Sequence, residues 1–86
     1  MSLKIVSNAV DLSAPLRAAI AAVLPDAEIA VRLTSPGHYE IEVCAEAFRG
    51  KSLVQQQQMV YGSILSFMSG DDAPVHAIDR MQTRTP

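Results

Sequence analysis

The chain has 86 residues, of which 49% are hydrophobic and 19% are charged, and this composition excludes an intrinsically disordered chain and indicates one globular domain with a modest core. The formal net charge of −2 argues weakly against nucleic acid as the main partner, because proteins that bind nucleic acid through phosphates usually carry a basic face.

The sequence has no feature of a secreted or membrane protein. Its longest apolar run, around residues 18–24, is far too short to cross a bilayer. No basic segment followed by an apolar one opens the chain, so we expect no secretory signal. A single cysteine cannot form an internal disulfide, which fits a reducing compartment. We therefore expect a cytoplasmic protein without membrane association.

The first predicted element with clear boundaries is a helix in "DLSAPLRAAIAAVLPD", residues 11–26. Asp11 or Ser13 can accept hydrogen bonds from its first N–H groups, Pro15 suits its first turn, and Pro25 ends it. Its predicted apolar stripe comprises Leu16, Ile20, Val23 and Leu24. Before the helix, "LKIVSN" predicts a short strand.

Two alternating segments follow and predict an antiparallel hairpin with one wet face. They are "EIAVRL" at residues 28–33 and "HYEIEVCAE" at residues 38–46, and "TSPG" between them supplies a turn. The predicted inward side chains are Ile29, Val31, Leu33, Tyr39, Ile41, Val43 and Ala45.

Residues 52–68 predict a second helix that contains four consecutive glutamines. At about 100° per residue its apolar side chains fall in one sector. That sector comprises Leu53, Val54, Val60, Tyr61, Ile64, Phe67 and Met68. Gln57 falls in the middle of the sector, Gln55 falls nearly opposite it, and Gln56 and Gln58 lie at its edges. We expect Gln57 to be partly buried and hydrogen-bonded, because an unpaired buried amide costs on the order of 1–3 kcal/mol.

The last predicted element is a strand in "VHAIDRMQT", residues 75–83. Its alternation is imperfect, since Ile78 and Met81 are three positions apart. This spacing predicts a β-bulge near Asp79 and Arg80.

The order of helix, strand, strand, helix and strand predicts an α+β fold with two helices on one face of a three-stranded sheet. We expect one domain over residues 1–86, with an N-terminal extension at residues 1–10 and a frayed tail at residues 84–86.

Three strings in this order resemble the BolA family, and most closely its short IbaG-like branch. They are "HYEIEV" at residues 38–43, "AFRGKSLVQQQQMVYGSI" at residues 47–64 and "PVHAI" at residues 74–78. The middle string is the most specific. The residues that match its family pattern are Phe48, Gly50, Ser52, Gln57, Val60 and Tyr61. The resemblance covers roughly residues 11–86 and implies a class II KH-like αββαβ fold.

The resemblance also implies a role in handling iron–sulfur clusters with a monothiol glutaredoxin. In such complexes the family uses the histidine that matches His76, together with a second ligand from the loop where His38 stands. It implies no cofactor in the isolated chain and a [2Fe–2S] cluster shared with the partner. Other descriptions of the family stress morphology, stress response and DNA-binding regulation.

The count of soft or borderline metal ligands is compatible with a shared site. The chain has three such residues, His38, Cys44 and His76, whereas a structural zinc or a [2Fe–2S] cluster needs four ligands. A partner that supplies thiolates, or a second copy of the chain in a homodimer, would complete the set. We expect Cys44 to be a small filler or an exposed thiol rather than a ligand, because its position deep in a strand is fixed by sheet packing.

Two other functions remain open. A transcriptional regulator that binds nucleic acid through the KH-like fold is disfavoured, because Gln56 and Gln58 are neutral where regulatory members of the family often have Arg or Lys. The Gly-x-x-Gly clamp of KH modules is also absent. A protein-interaction domain without a metal is the third possibility.

We do not expect an enzyme. One cysteine and two histidines far apart in sequence give no Ser-His-Asp or Cys-His arrangement. The string "FRGKS" at residues 48–52 contains Gly-Lys-Ser but lacks the upstream glycine of a P-loop.

Overall fold

The computed structural model describes residues 10–86 and has the αββαβ order within them. The elements are α1 (Ser13–Val23), β1 (Glu28–Ser35), β2 (His38–Cys44), α2 (Leu53–Met68) and β3 (Ala77–Arg84). A 3-10 turn at Glu46–Phe48 lies between β2 and α2. The α+β class is therefore confirmed, whereas the strand predicted at residues 3–8 lies outside the described residues.

The three strands form one mixed sheet in the order β1-β2-β3. β1 and β2 pair antiparallel through a two-residue turn, as the hairpin pattern predicted. β3 pairs parallel with β2, and α2 lies in the crossover between them, since parallel neighbours need a long connection. The parallel pairing places the first residues of β2 and β3 side by side at one end of the sheet.

Both helices pack on one face of the sheet and form one core with it. Its most deeply buried side chains are Leu16, Ile20, Tyr39, Ile41, Val43, Phe48, Val60, Ile64 and Val75. The hydroxyl of Tyr39 accepts a 2.9 Å hydrogen bond from the backbone N–H of Leu12, which ties the start of α1 to β2. The predicted inward face of the hairpin is confirmed, because its side chains are buried or half-buried.

The predicted bulge is present in β3. Tyr39 pairs with Ile78 and Glu40 pairs with Arg80, so Asp79 is an extra residue without a partner on β2. The bulge restores the alternation of β3, because Ile78 and Met81 both pack against the core despite their spacing of three.

The start of α1 has the predicted hydrogen bond to Asp11, whereas the predicted apolar stripe is wrong at the end of the helix. Asp11 Oδ1 accepts a 2.8 Å hydrogen bond from the backbone N–H of Ser13. Val23, placed in the apolar stripe, is 51% exposed, and Leu24 directly after the helix is buried. The helix ends at Val23, and the side chain that continues the stripe into the core is that of Leu24.

The predicted apolar sector of α2 is wrong in its first turn, where Leu53 is 58% exposed and Val54 is 62% exposed. Leu53 is in phase with the buried Val60, but it lies about 10 Å further along the helix axis and extends past the core. Val54 is about 120° away from Val60 around the helix. The rest of the sector is buried or half-buried.

The first residue of the tail predicted at residues 84–86 lies within the last strand. Arg84 is the last residue of β3 and pairs with Cys44. Its carbonyl accepts a 3.0 Å hydrogen bond from the N–H of Ala45, which extends the ladder beyond β2. These backbone bonds hold the end of β3 in the sheet.

Within residues 10–86, no helix is long and apolar enough to span a bilayer.

Candidate functional site

The structure brings His38 and His76 together at one exposed end of the sheet. His38 begins β2, and His76 immediately precedes β3, where Ala77 pairs with His38. Val75, on the other side of His76, is buried and anchors the segment. The two imidazole rings are 6.3 Å apart between centroids and lie at 85° to each other. We call this pair the histidine corner.

A Pro-Gly turn fixes the backbone beneath His76. Gly37 has a φ of +79° after Pro36, which is the pattern of a type II turn. The carbonyl of Gly37 accepts hydrogen bonds from the N–H groups of His76, at 2.8 Å, and Ala77, at 3.2 Å. A Cβ atom on residue 37 would lie 2.6 Å from Nδ1 of His76, so the imidazole lies directly against the glycine. Both the conformation and the close approach therefore require glycine.

The His38 ring is held by a carboxylate from the bulge of β3. Its Nδ1 is 2.9 Å from Oδ1 of Asp79. The other carboxylate oxygen of Asp79, Oδ2, lies 3.2 Å from the hydroxyl of Thr34 on β1. The hydrogen bond from His38 lowers the pKa of the Asp79 carboxyl below its ordinary value, against a smaller opposing effect of desolvation. One side of the His38 ring is thus occupied, and its Nε2 remains available.

Cys44 lies away from the histidine corner. It ends β2, six residues after His38, and a strand of that length spans about 20 Å. Its side chain is buried, in agreement with a filler rather than an exposed thiol. Residues 10–86 contain no cluster of three or more His, Cys, Asp or Glu side chains that could hold a metal ion. The histidine corner alone is therefore at most part of a metal site.

The glutamine tract, residues 55–58, lies towards the opposite end of the sheet. The side chains of its first two members form hydrogen bonds with backbone groups at the start of α2. Gln55 forms a capping box with Ser52, in which each side chain accepts a hydrogen bond from the other residue's backbone N–H. Gln56 donates a 3.0 Å hydrogen bond to the carbonyl of Lys51 and accepts a 2.9 Å bond from the hydroxyl of Thr83.

The last two members of the tract differ in burial. Gln57 is half-buried, and its Nε2 lies 3.4 Å from the carbonyl of Met81 on β3, to which it donates. The prediction of a partly buried, hydrogen-bonded Gln57 is confirmed. Gln58 is exposed.

The model of one protein family, described as BolA-like protein, matches residues 25–86. The chain belongs to the BolA family. No curated protein shows a significant sequence match to it. The IbaG-like branch within the family remains a prediction.

Solved BolA structures share the fold at low sequence identity. BolA1 from Arabidopsis thaliana has a TM-score of 0.72 and 18% identity, with 90% of this chain and 94% of that chain covered. The BolA domain of SufE1 from Arabidopsis thaliana has a TM-score of 0.75 and 20% identity, with the same coverage of 90% and 94%. A Bol-like protein from Babesia bovis has a TM-score of 0.67 and 19% identity, with 86% and 84% covered. At such identities these likenesses show the fold alone.

The residues that match the BolA pattern support the start and packing of α2. Phe48 is fully buried, Gly50 has a φ of +82°, and Ser52 is the N-cap. Val60 is fully buried and Tyr61 is half-buried. In this BolA chain the motif is thus a structural one, and the exposed chemistry lies at the histidine corner.

Sequence reasoning missed three residues that shape the histidine corner, namely Gly37, Asp79 and Thr34. The Pro-Gly dipeptide indicated a turn, and the irregular spacing indicated a bulge at Asp79. Neither signal shows which side chain the turn and the bulge would meet, because those contacts depend on the parallel pairing of β2 with β3.

Proposed function

We propose that this BolA-family chain is an adaptor that binds a monothiol glutaredoxin and shares a [2Fe–2S] cluster with it, in cluster trafficking or in iron and stress regulation. The observation that carries the proposal is the histidine corner, where two imidazoles from distant parts of the sequence lie 6.3 Å apart at an exposed end of the sheet. The same two histidines are the ones that the family resemblance implies as ligands.

The residues present fit one part of a shared cluster site. Imidazole nitrogens bind metals at about 2.0–2.1 Å, and the 6.3 Å between the ring centroids of His38 and His76 is short enough for both rings to contact one bound group. A [2Fe–2S] cluster takes four ligands, and two histidines can serve one of its irons. Thiolates of the partner would supply the rest. The cluster would be cargo that the two proteins hold together, a source of iron and sulfide for a recipient.

The proposal includes no catalytic step in this chain. His38 and Asp79 form a His–carboxylate pair, but the neighbouring hydroxyl of Thr34 contacts Asp79 and the His38 carbonyl rather than the His38 ring. The thiol of Cys44 lies at the other end of β2. Among residues 10–86, the imidazole of His38 forms its side-chain hydrogen bond with the Asp79 carboxylate and not with a hydroxyl or thiol.

A nucleic-acid-binding regulator is the weaker alternative. Arg32 is paired with Glu40, and Arg49 is paired with Glu46, so two of the seven Lys and Arg residues already have acidic partners. Gln56, which stands where regulatory members often carry a positive charge, uses its amide for bonds within the chain. These features support the adaptor.

The test is visible absorption and circular dichroism of the chain mixed with cluster-loaded monothiol glutaredoxin. Wild type, His38→Ala and His76→Ala are compared, with Gln58→Ala as an exposed control remote from the corner. We expect a new spectrum for wild type and Gln58→Ala, and a changed or weakened spectrum for both histidine variants. Far-ultraviolet circular dichroism should show all four proteins folded, because His76 is exposed and His38 is only half-buried.

Two results would contradict the proposal. The first is the absence of both a complex and a spectral change with wild type, after which DNA binding at physiological salt becomes the next measurement. The second is a wild-type spectrum that neither histidine substitution alters. Unfolding of His76→Ala would show that His76 supports the fold, and the ligand role would lose its main basis.

A further inference from the structure

The bulge in β3 places one carboxylate against one of the two histidines. Without an extra residue, the residue that follows Ile78 in β3 would pair with Glu40 of β2. Asp79 is that extra residue, and its side chain reaches the wet face of the sheet beside His38. The bulge therefore has a specific consequence at the histidine corner beyond the bend that it introduces in the strand.

The contact defines which ring nitrogen of His38 carries the proton. An ionised carboxylate can only accept hydrogen bonds, so the Nδ1 that lies 2.9 Å from Asp79 must be the donor. In the neutral imidazole, Nε2 then holds the free lone pair. An imidazole free in water prefers the opposite tautomer. The Asp79 contact thus works against the intrinsic preference of His38.

Asp79 is itself held in place from a third strand. Its Oδ2 lies 3.2 Å from the hydroxyl of Thr34, whose position on β1 is separate from both β2 and β3. The carboxylate therefore joins the ends of all three strands. Thr34 has one hydroxyl proton, and the His38 carbonyl lies 3.1 Å from the same hydroxyl, so the bond to Asp79 alternates with a bond to the start of β2.

His76 differs from His38 in this respect. Its ring lies against Gly37, and within residues 10–86 no side chain forms a hydrogen bond with it. The two members of the histidine corner are therefore held by different means. His76 is placed by backbone contacts, and His38 is placed by a carboxylate.

We propose that Asp79 is a positioning residue that keeps the proton of His38 on Nδ1 and so presents Nε2 as the nitrogen that binds a partner's metal group. This proposal rests on the proposed function for its purpose, but the tautomer itself is a property of the isolated chain. Carboxylates commonly support metal-binding histidines in this way, and their loss typically weakens metal binding 10–100-fold.

The test is the tautomer of His38 in the free, ¹⁵N-labelled protein, read from long-range ¹H–¹⁵N correlation spectra at about pH 8, where an ordinary histidine is neutral. In wild type we expect His38 to be mainly protonated on Nδ1. Asp79→Ala should shift it to the Nε2-protonated form and leave the signals of His76 in place. Asp79→Asn, whose amide oxygen can still accept, should retain part of the Nδ1-protonated form.

Asp72→Ala is the matched control, since it removes an exposed carboxylate from the loop before β3. It should leave the His38 tautomer unchanged. An Nε2-protonated His38 in wild type would overturn the proposal without any variant, so the test does not depend on the folding of Asp79→Ala. An unchanged tautomer in a folded Asp79→Ala would overturn it equally.

The mixture with cluster-loaded glutaredoxin separates this proposal from the adaptor role. There Asp79→Ala should raise the concentration of chain needed to reach half of the histidine-dependent spectral change about tenfold or more, as loss of a supporting carboxylate weakens metal binding elsewhere. The expected tautomer shift without any wild-type cluster spectrum would refute the adaptor role and support the positioning role. A cluster spectrum that needs His38, with no tautomer shift in Asp79→Ala, would support the adaptor role and refute the positioning role.

Discussion

The histidine corner and the glutamine tract lie at opposite ends of the same sheet and use polar side chains in opposite ways. In the tract, Gln55, Gln56 and Gln57 bond to backbone or hydroxyl groups of their own chain. At the corner, the bonds of His38 and His76 within residues 10–86 leave ring nitrogens free at an exposed end of the sheet. Polar groups that complete the fold are thus separated from polar groups that remain available to a partner.

The difference shows how a small domain accommodates an exposed site. The rings at the corner are placed by a turn glycine, a bulge and short backbone bonds, with little apolar burial around them. The tract can contribute to stability because Gln56 and Gln57 are half-buried and bond to β3. Substitutions of the two histidines themselves should therefore change chemistry more than stability, and substitutions in the tract should do the opposite.

The largest expected effect is that of Gly37→Ala, because it combines backbone strain with a clash at the corner. A non-glycine residue in the left-handed region costs roughly 1–2 kcal/mol. The added Cβ would also meet the His76 ring, 2.6 Å from Nδ1, and must displace it. We expect a loss of unfolding free energy of at least about 1–2 kcal/mol in urea denaturation, together with changed NMR signals of His76.

Gly50→Ala is the matched control for this substitution. Gly50 has a similar φ of +82°, but a Cβ there would meet nothing within 4 Å. It should lose stability by the backbone strain alone and leave the His76 signals unchanged. Equal changes at His76 in both variants would show that the ring responds to general loosening of the fold, and the proposed direct contact would be wrong.

The next effect is smaller and belongs to the tract. Gln57→Leu removes the donor to the Met81 carbonyl, at a distance of 3.4 Å that indicates a weak bond. We expect a loss of about 0.5–1 kcal/mol, with the histidine signals unchanged. Gln58→Leu, on the exposed side of α2, should stay within about 0.5 kcal/mol of wild type. A more stable Gln57→Leu would show that apolar packing at this position outweighs the amide.

Much of the fold could be predicted because its signals are local. The alternation of β1 and β2 determined which face is buried, and the spacing of Ile78 and Met81 located the bulge. The error at Leu53 has a physical cause, since helical phase gives the direction of a side chain but not where the core ends along the axis.

The candidate site was less accessible to sequence reasoning. His38 and His76 were identified through the family resemblance, and their proximity follows from the parallel pairing of β2 with β3. The roles of Asp79 and Gly37 depend on which side chains that pairing brings together. Long-range pairing of this kind leaves no periodic trace in the sequence, so these two contacts required the structure.

The smallest expected effect is a pH dependence near the start of α2, from the exposed pair of Glu46 and Arg49. The hydrogen bond from Arg49, with a smaller contribution from its charge, holds the pKa of Glu46 below its ordinary value of 4.5, against partial desolvation. Because the pKa is lower in the folded state than in the unfolded state, the pair stabilises the fold above about pH 4.5, and this contribution is lost as the pH falls through the folded value. The side chains of the glutamine tract have no ionisable group, so they add nothing to this pH dependence.

Urea denaturation between about pH 3 and pH 6 should therefore show wild type more stable than Glu46→Gln at the upper end, with the difference shrinking as the pH falls. Arg49→Gln should follow the same course, because it returns the pKa of Glu46 towards its ordinary value. Salt at about 1 M, where the screening length is about 3 Å, should reduce both differences, since the pair is exposed. A wild-type advantage that grows on acidification would reverse the sign of the linkage and show that the pair does not form in solution.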